Sequence, residues 1–252
     1  MMLEGDDNIL DRIREILGSK SVSFSVLEHQ VDVKVQMEYF EFTKSHPANN
    51  NFDEILDKAS TLYSDDIDTH SKKELLVNLA SIDRPEAYRI IERFVEDAPG
   101  ELKEWAQMAL QECRMLLESK LLDEQQIFIS TGLGGSGSKL RYFVAFIPEK
   151  EEPFTSTQKK LIESELKLSL KNHDSEIEEL SFNNNYASIV ALVPLSVHVR
   201  QPFKNAIDEC NSLGRFIRDS FLITNVKVMS EQEVYDIVNK PPEDQILLDE
   251  EE

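Results

Sequence analysis

The stretch STGLGGSGSKLRYFVAF, Ser130 to Phe146, decides between two folds. Gly132, Gly134 and Gly137 stand in the order G-x-G-x-x-G, which in a dinucleotide-binding turn leads a strand into a helix whose first amides meet a pyrophosphate. Here Tyr142, Phe143, Val144, Phe146 and Ile147 follow, all strand formers, and the run ends at Pro148 before a helix can begin. GLGGSGSK also has the glycine spacing of a P-loop, but Ser138 and Lys139 stand where Lys-Ser or Lys-Thr is required. The expected structure is a glycine-rich hairpin joining two extended segments, with no cofactor. So many glycines exceed what a turn needs, and they make Gly132, Gly134, Gly135, Gly137 and Ser138 a candidate loop for touching a partner or an anionic ligand.

Downstream, TSTQKKLIESELKLSLKNHD has helical spacing at Ile162, Leu166, Ser169 and Leu170. EIEELSFNNNYASIVALVPL reads as two strands around Asn183, Asn184 and Asn185, and VRQPFKNAIDECNSLG as a helix through Phe203, Ile207, Cys210 and Leu213, stopped by Gly214. DSFLITNVKVMS supplies a last strand and EQEVYDIV a short helix. With the strand at QIFISTG removed, the order is β-α-β-β-α-β, the ferredoxin-like order, with two helices on one face of an antiparallel sheet.

Upstream, the period is helical. HSKKELLVNLASI sets Leu75, Leu76, Leu79 and Ile82 on one stripe; DRPEAYRIIERFVEDA follows, with Asp83 as N-cap, Pro85 in the first turn and Ala87, Ile91, Phe94 and Val95 inward. Leu102, Trp105, Ala106, Ala109, Cys113, Leu116 and Leu117 continue the pattern through a long helix, and short connections make neighbours antiparallel. NFDEILDKASTLY and DNILDRIREILG read as further helices. VSFSVLEHQVDVKVQMEYFEFTKSH is also read as a helix ending before Pro47, although Val31, Val33 and Val35 alternate as in a strand.

RPEAYRIIERFVEDAPGELKEWAQMAL, Arg84 to Leu110, resembles a HEAT-like or related alpha-solenoid repeat over about one and a half repeats. The chain as a whole is similar to a bacterial family that joins such helices to a small sheet domain and has no assigned activity. That resemblance implies architecture alone. The expected fold is therefore α+β: an acidic antiparallel HEAT-like array over residues 1–122, then a ferredoxin-like two-layer sandwich over 126–240 with an extra N-terminal hairpin strand, and an acidic disordered tail at 241–252.

Charge separates these parts. Residues 1–126 carry 14 Lys+Arg against 27 Asp+Glu, residues 127–240 carry 13 against 15, and residues 241–252 add six acids and no base, within a total of −21. Such a surface repels nucleic-acid phosphates and anionic lipid and favours solubility or a basic protein partner. KLRYFVAF resembles the aromatic strand of the RNA-recognition motif, but Leu140 and Arg141 occupy its glycine and first aromatic positions, and the charge leaves little for counterion release. No apolar run is long enough for a membrane helix and the start has no basic, apolar leader, so the expected compartment is the cytoplasm, with Cys113 and Cys210 reduced.

Other chemistries lack their residues. His29, His46, His70, His173 and His198 are scattered without metal-ligand spacing, and Asp65, Asp66 and Asp68 lack the glycine and final glutamate of a calcium loop, so they are read as capping the helix near Ser71. Trp105, Tyr88 and Phe94 are read as core residues in preference to a ligand cage. The expectation is a non-enzymatic scaffold or adaptor that recruits a basic protein, with a small-ligand or regulatory sensor and an RNA-binding module as alternatives. A homodimer through the open sheet face is also expected to be accessible.

Overall fold

The alternation of Val22, Phe24 and Val26 with serines in VSFSV makes β1 (Val22–Val26), which the sequence reading had merged into a helix. The helix begins later. Asp32 caps it by accepting a hydrogen bond from Lys34 N (2.8 Å), and the alternating Val31, Val33 and Val35 fall across its start, giving α1 (Val33–Ser45). The computed structural model describes residues 22–46, 51–122 and 125–239. The helix expected at DNILDRIREILG, Pro47 and the tail at 241–252 lie outside the described residues. Two compact units divide the chain, one comprising Lys20–Ser138 and the other containing everything from Lys139 on.

In the first unit α2 (Phe52–Lys58) runs into a 3-10 turn (Ala59–Tyr63), followed by α3 (Thr69–Ala80), α4 (Pro85–Asp97) and the long α5 (Gly100–Leu122). Asp68 caps α3, accepting from Ser71 N at 3.0 Å, as its acid run implied. Asp83 does not cap α4. The N-cap is Arg84, because Pro85 takes the first helical position, and Asp83 pairs with Lys120. Helices α1, α3 and α4 all pack on α5. Their inward residues, among them Tyr39, Leu76, Ile91, Trp105, Ala109 and Cys113, form one core.

This unit is closed by a parallel strand pair. The strand β2 (Gln125–Ile129), expected to form a hairpin with the strand after the glycines, instead pairs with β1 from Val22↔Gln125 to Val26↔Ile129. Parallel strands need a long crossover, and here the helices α1 to α5 supply it. Two buried amides hold the closure. Gln111 on α5 donates from Nε2 to Ser25 Oγ (2.7 Å), and Gln36 on α1 donates from Nε2 to the carbonyls of Val31 (2.8 Å) and Thr131 (3.1 Å). Each satisfies groups that would be costly to bury unpaired.

The second unit contains β4 (Lys139–Phe146), α6 (Ser156–Asn172), β5 (Glu176–Phe182), β6 (Ala187–Pro194), α7 (Gln201–Ser212), β7 (Leu222–Thr224) and α8 (Glu231–Asn239). Strands β7, β4, β6 and β5 lie side by side, each antiparallel to its neighbour, in a mixed α/β arrangement that resembles a ferredoxin-like sheet. The two-residue β3 (Gly135–Ser136) lies between β2 and β4 in the chain, where no separate strand was expected. A capping box starts α6, with Thr155 Oγ1 accepting from Gln158 N (3.3 Å) and Gln158 Oε1 accepting from Thr155 N (2.8 Å). Ile162, Leu166, Ser169, Leu170, Phe203, Ile207 and Cys210 are buried as their spacing required, whereas Leu213 lies past the end of α7 and is 74% exposed.

Candidate interaction groove and the glycine stretch

The glycine stretch splits into two halves with different demands. Thr131 O accepts from Gly134 N (3.1 Å) and Thr131 Oγ1 donates to Gly134 O (3.2 Å), closing a tight turn. Gly134 has φ +66, and a Cβ there would lie 2.5 Å from His29 O and 2.8 Å from Leu27 O. No other residue fits between those carbonyls. Gly132, Gly134 and Gly135 are buried; Gly137 and Ser138 are exposed. Gly137 has φ +57 with open space around it, and turns the chain from β3 into β4. A strand therefore follows the glycines, and the helix end that the dinucleotide fingerprint needs does not form there.

On β4 the aromatic residues are occupied. Phe146 meets Phe203 of α7 at 6.5 Å and Phe221 at 5.9 Å, which turns Leu140, Tyr142, Val144 and Phe146 toward the helices. Phe143, on the other face, is 1% exposed. The same face starts with Lys139 and Arg141, paired to Glu176 (2.7 Å) and Glu178, so it begins as a charged ladder. Among the described residues no group of three or more His, Cys, Asp or Glu has metal-binding geometry. Burial, aided by Glu112, pushes the Cys113 thiol up to about 12; burial, with Glu165 and Glu209, does the same to Cys210. Both sulfurs are fully buried core atoms. No described helix is long and apolar enough to cross a membrane.

Tyr88, Phe94 and Trp105 are not brought together. Trp105 packs edge-on against Tyr39 (5.1 Å) and Phe42 (5.5 Å) under the Lys73 ammonium (4.3 Å), while Tyr88 faces Arg114. Phe94 instead supports Tyr63, edge to face at 5.4 Å. Tyr63 ends the 3-10 turn and is 51% exposed. It belongs to a groove of about 450 Å³ between that turn, the start of α3, the end of α4 and the start of α5, where Asp65, Lys72, Asp97 and Glu101 also stand.

The groove is acidic and aromatic at once. Glu101 is held by Lys73, whereas Asp65 and Asp97 have no ion-pair partner among the described residues. Burial first, and then the Asp97 carboxylate, hold the Tyr63 phenol above its ordinary value. Such a site suits a cation: a guanidinium or ammonium can lie on the exposed ring and meet the carboxylates. Sequence reading assigned Asp65 to capping alone and gave Tyr63 no role. The available signal was a tyrosine two positions before an acid run, in LYSDDID.

No family model and no curated protein matches the chain. Among solved structures it is similar to a candidate transposase from Deinococcus radiodurans, at 12% identity and a TM-score of 0.31 over 44% of this chain and 90% of that one. It is also similar to the REP-associated tyrosine transposase bound to a REP hairpin, at 11% identity and 0.28 over 38% of this chain. The match spans 65% of that second protein. Likenesses this distant carry no argument about what the chain does.

Proposed function

We propose that the chain is a non-catalytic protein-interaction module whose helical unit captures a basic segment of a partner protein. The supporting observation is the groove at Tyr63, where an exposed ring is flanked by the unpaired carboxylates of Asp65 and Asp97. The surplus of 27 acids over 14 bases in residues 1–126 adds long-range attraction for the same kind of partner. The consecutive packing of α3, α4 and α5 supports the HEAT-like reading of this region, and the β7-β4-β6-β5 order supports a ferredoxin-like second domain. Self-association through the sheet would use β5, the edge strand of that order. A monomer by sedimentation at high concentration removes that part of the proposal.

The groove is tested with fluorescent peptides and the whole chain. An arginine-rich peptide should bind, weakening steeply as salt rises, while a glutamate-rich peptide should not. The double variant Asp65→Asn/Asp97→Asn, and separately Tyr63→Ala, should each weaken binding at least about fivefold, near 1 kcal/mol. Equal binding by wild type and both variants would remove the groove from the account.

A further inference from the structure

The sheet unit holds a second, smaller cavity of about 210 Å³, bounded by Pro148, Lys150, Tyr186, Arg218, Glu231 and Val234. Arg218 is half-buried there and its position is fixed. Its backbone N–H donates to Ile147 O (2.8 Å) and its Nε donates to Pro148 O (3.2 Å). The two terminal nitrogens have no acceptor among the described residues, and no carboxylate lies within 4.0 Å. Arg215, three positions earlier and exposed, engages both Asp219 (2.9 Å) and Glu149 (3.5 Å). The more buried arginine is thus the one left without an anion, with its outer fork oriented and unclaimed. That geometry matches bidentate recognition of a carboxylate or phosphate.

The rest of the lining narrows the choice. Lys150 adds a second cation, while Glu151 and Glu231 add two acids, and none of the three forms an ion pair among the described residues. The acids repel a dianion such as phosphate and attract a ligand that carries a cationic group beside its anionic one. Ile147, Val234 and Val238 supply an aliphatic surface. The volume falls below the roughly 300 Å³ at which sites for drug-sized ligands begin, so the ligand is small. We propose that this cavity binds a free aliphatic α-amino acid, its carboxylate on the Arg218 fork, its ammonium toward the Glu231 side, and its side chain on Ile147 and Val234.

The test uses isotope-labelled full-length chain and amide chemical shifts, with L-leucine as the probe. Leucine should shift Lys150, Tyr186, Arg218 and Val234 in a saturable way. 4-Methylpentanoate, which lacks the ammonium, and 3-methylbutylamine, which lacks the carboxylate, should each bind at least about tenfold more weakly, and inorganic phosphate should leave these amides unmoved. Arg218→Lys keeps the charge but not the fork and should weaken leucine about tenfold; Glu231→Gln, on an exposed helix start, should weaken leucine while binding 4-methylpentanoate at least as tightly as before. No saturable shift with leucine at millimolar concentration overturns the proposal, as does equal binding of leucine and 4-methylpentanoate or an unchanged affinity in Arg218→Lys.

Discussion

The two units bury their sheets by opposite means. In the first, β1 and β2 flank a stretch that carries α1 to α5, in which α1, α3 and α4 pack on α5, so the closure is assembled from distant parts. In the second, β5 and β6 are joined by the short turn at Asn183–Asn185, and the outer strands arrive through one helix each, so much of the pairing is local. Closing the first unit delays its reward until a long loop has been ordered. Few side chains then decide whether it holds, whereas the second unit spreads the same task over alternating strands.

The first way to break this contrast is at Gly134. Gly134→Val drives a Cβ into the carbonyls of His29 and Leu27 at a positive φ, and should destabilise the first unit by about 4 kcal/mol or more in denaturant unfolding. A loss below about 1 kcal/mol would show that the closure tolerates the extra atom and is looser than described. The hub comes next. Trp105 is 1% exposed among Tyr39 and Phe42, with its Nε1 donating to Lys73 O at 3.2 Å, and Trp105→Ala should cost about 3–4 kcal/mol.

Gly137 sharpens the comparison because it has the same kind of φ without the crowding. Gly137→Ala should cost only about 1 kcal/mol, the strain of a left-handed residue in open space. If Gly134→Val and Gly137→Ala cost the same, close approach is not what the buried half requires. The smallest effect is local to α8, which buries only Val234. Glu233 donates its charge to the cap of that helix: the ion pair with Lys227, then bonds from the Ser230 N–H and hydroxyl, bring its carboxyl from 4.5 down to about 2. A depressed folded value means the contribution is complete above the unfolded value and is lost as pH falls through the folded one. Protection of the Val234–Val238 amides, taken relative to the intrinsic exchange rate at each pH, should fall between about pH 4.5 and 2, and Glu233→Gln should abolish that acid step.

Legibility in the sequence follows the same division. The elements of the second unit were readable from β4 to α8, since alternation, the asparagine turn and the spacing of Ile162, Leu166 and Leu170 are local signals. The helices α2 to α5 of the first unit were equally plain, whereas the start of α1 was not. Its strand pairing was hidden because VSFSV has no hairpin partner nearby, and a parallel partner leaves no mark in the adjacent residues. The alternation of Val31, Val33 and Val35 was rightly set aside in favour of a helix: a period of two over three residues is also compatible with the turn into a helix whose cap, Asp32, sits between them. Tyr63 and Asp97 form one groove only because α4 returns beside the 3-10 turn, a closeness that no spacing encodes. Arg218 could be found only from which of its nitrogens the fold leaves without an acceptor beside a cavity, and that depends on folded geometry.

The claim on which the rest depends is that the glycine-rich stretch is a backbone joint between extended segments. It is tested most directly by backbone chemical shifts and cross-strand nuclear Overhauser contacts for residues 137–146. Strand-type shifts from Lys139 to Phe146, with contacts linking Phe143 to Val190 and Val144 to Ile189, are the predicted result. Helical shifts beginning near Ser138, with those contacts missing, would contradict it and return the motif to a phosphate-binding role.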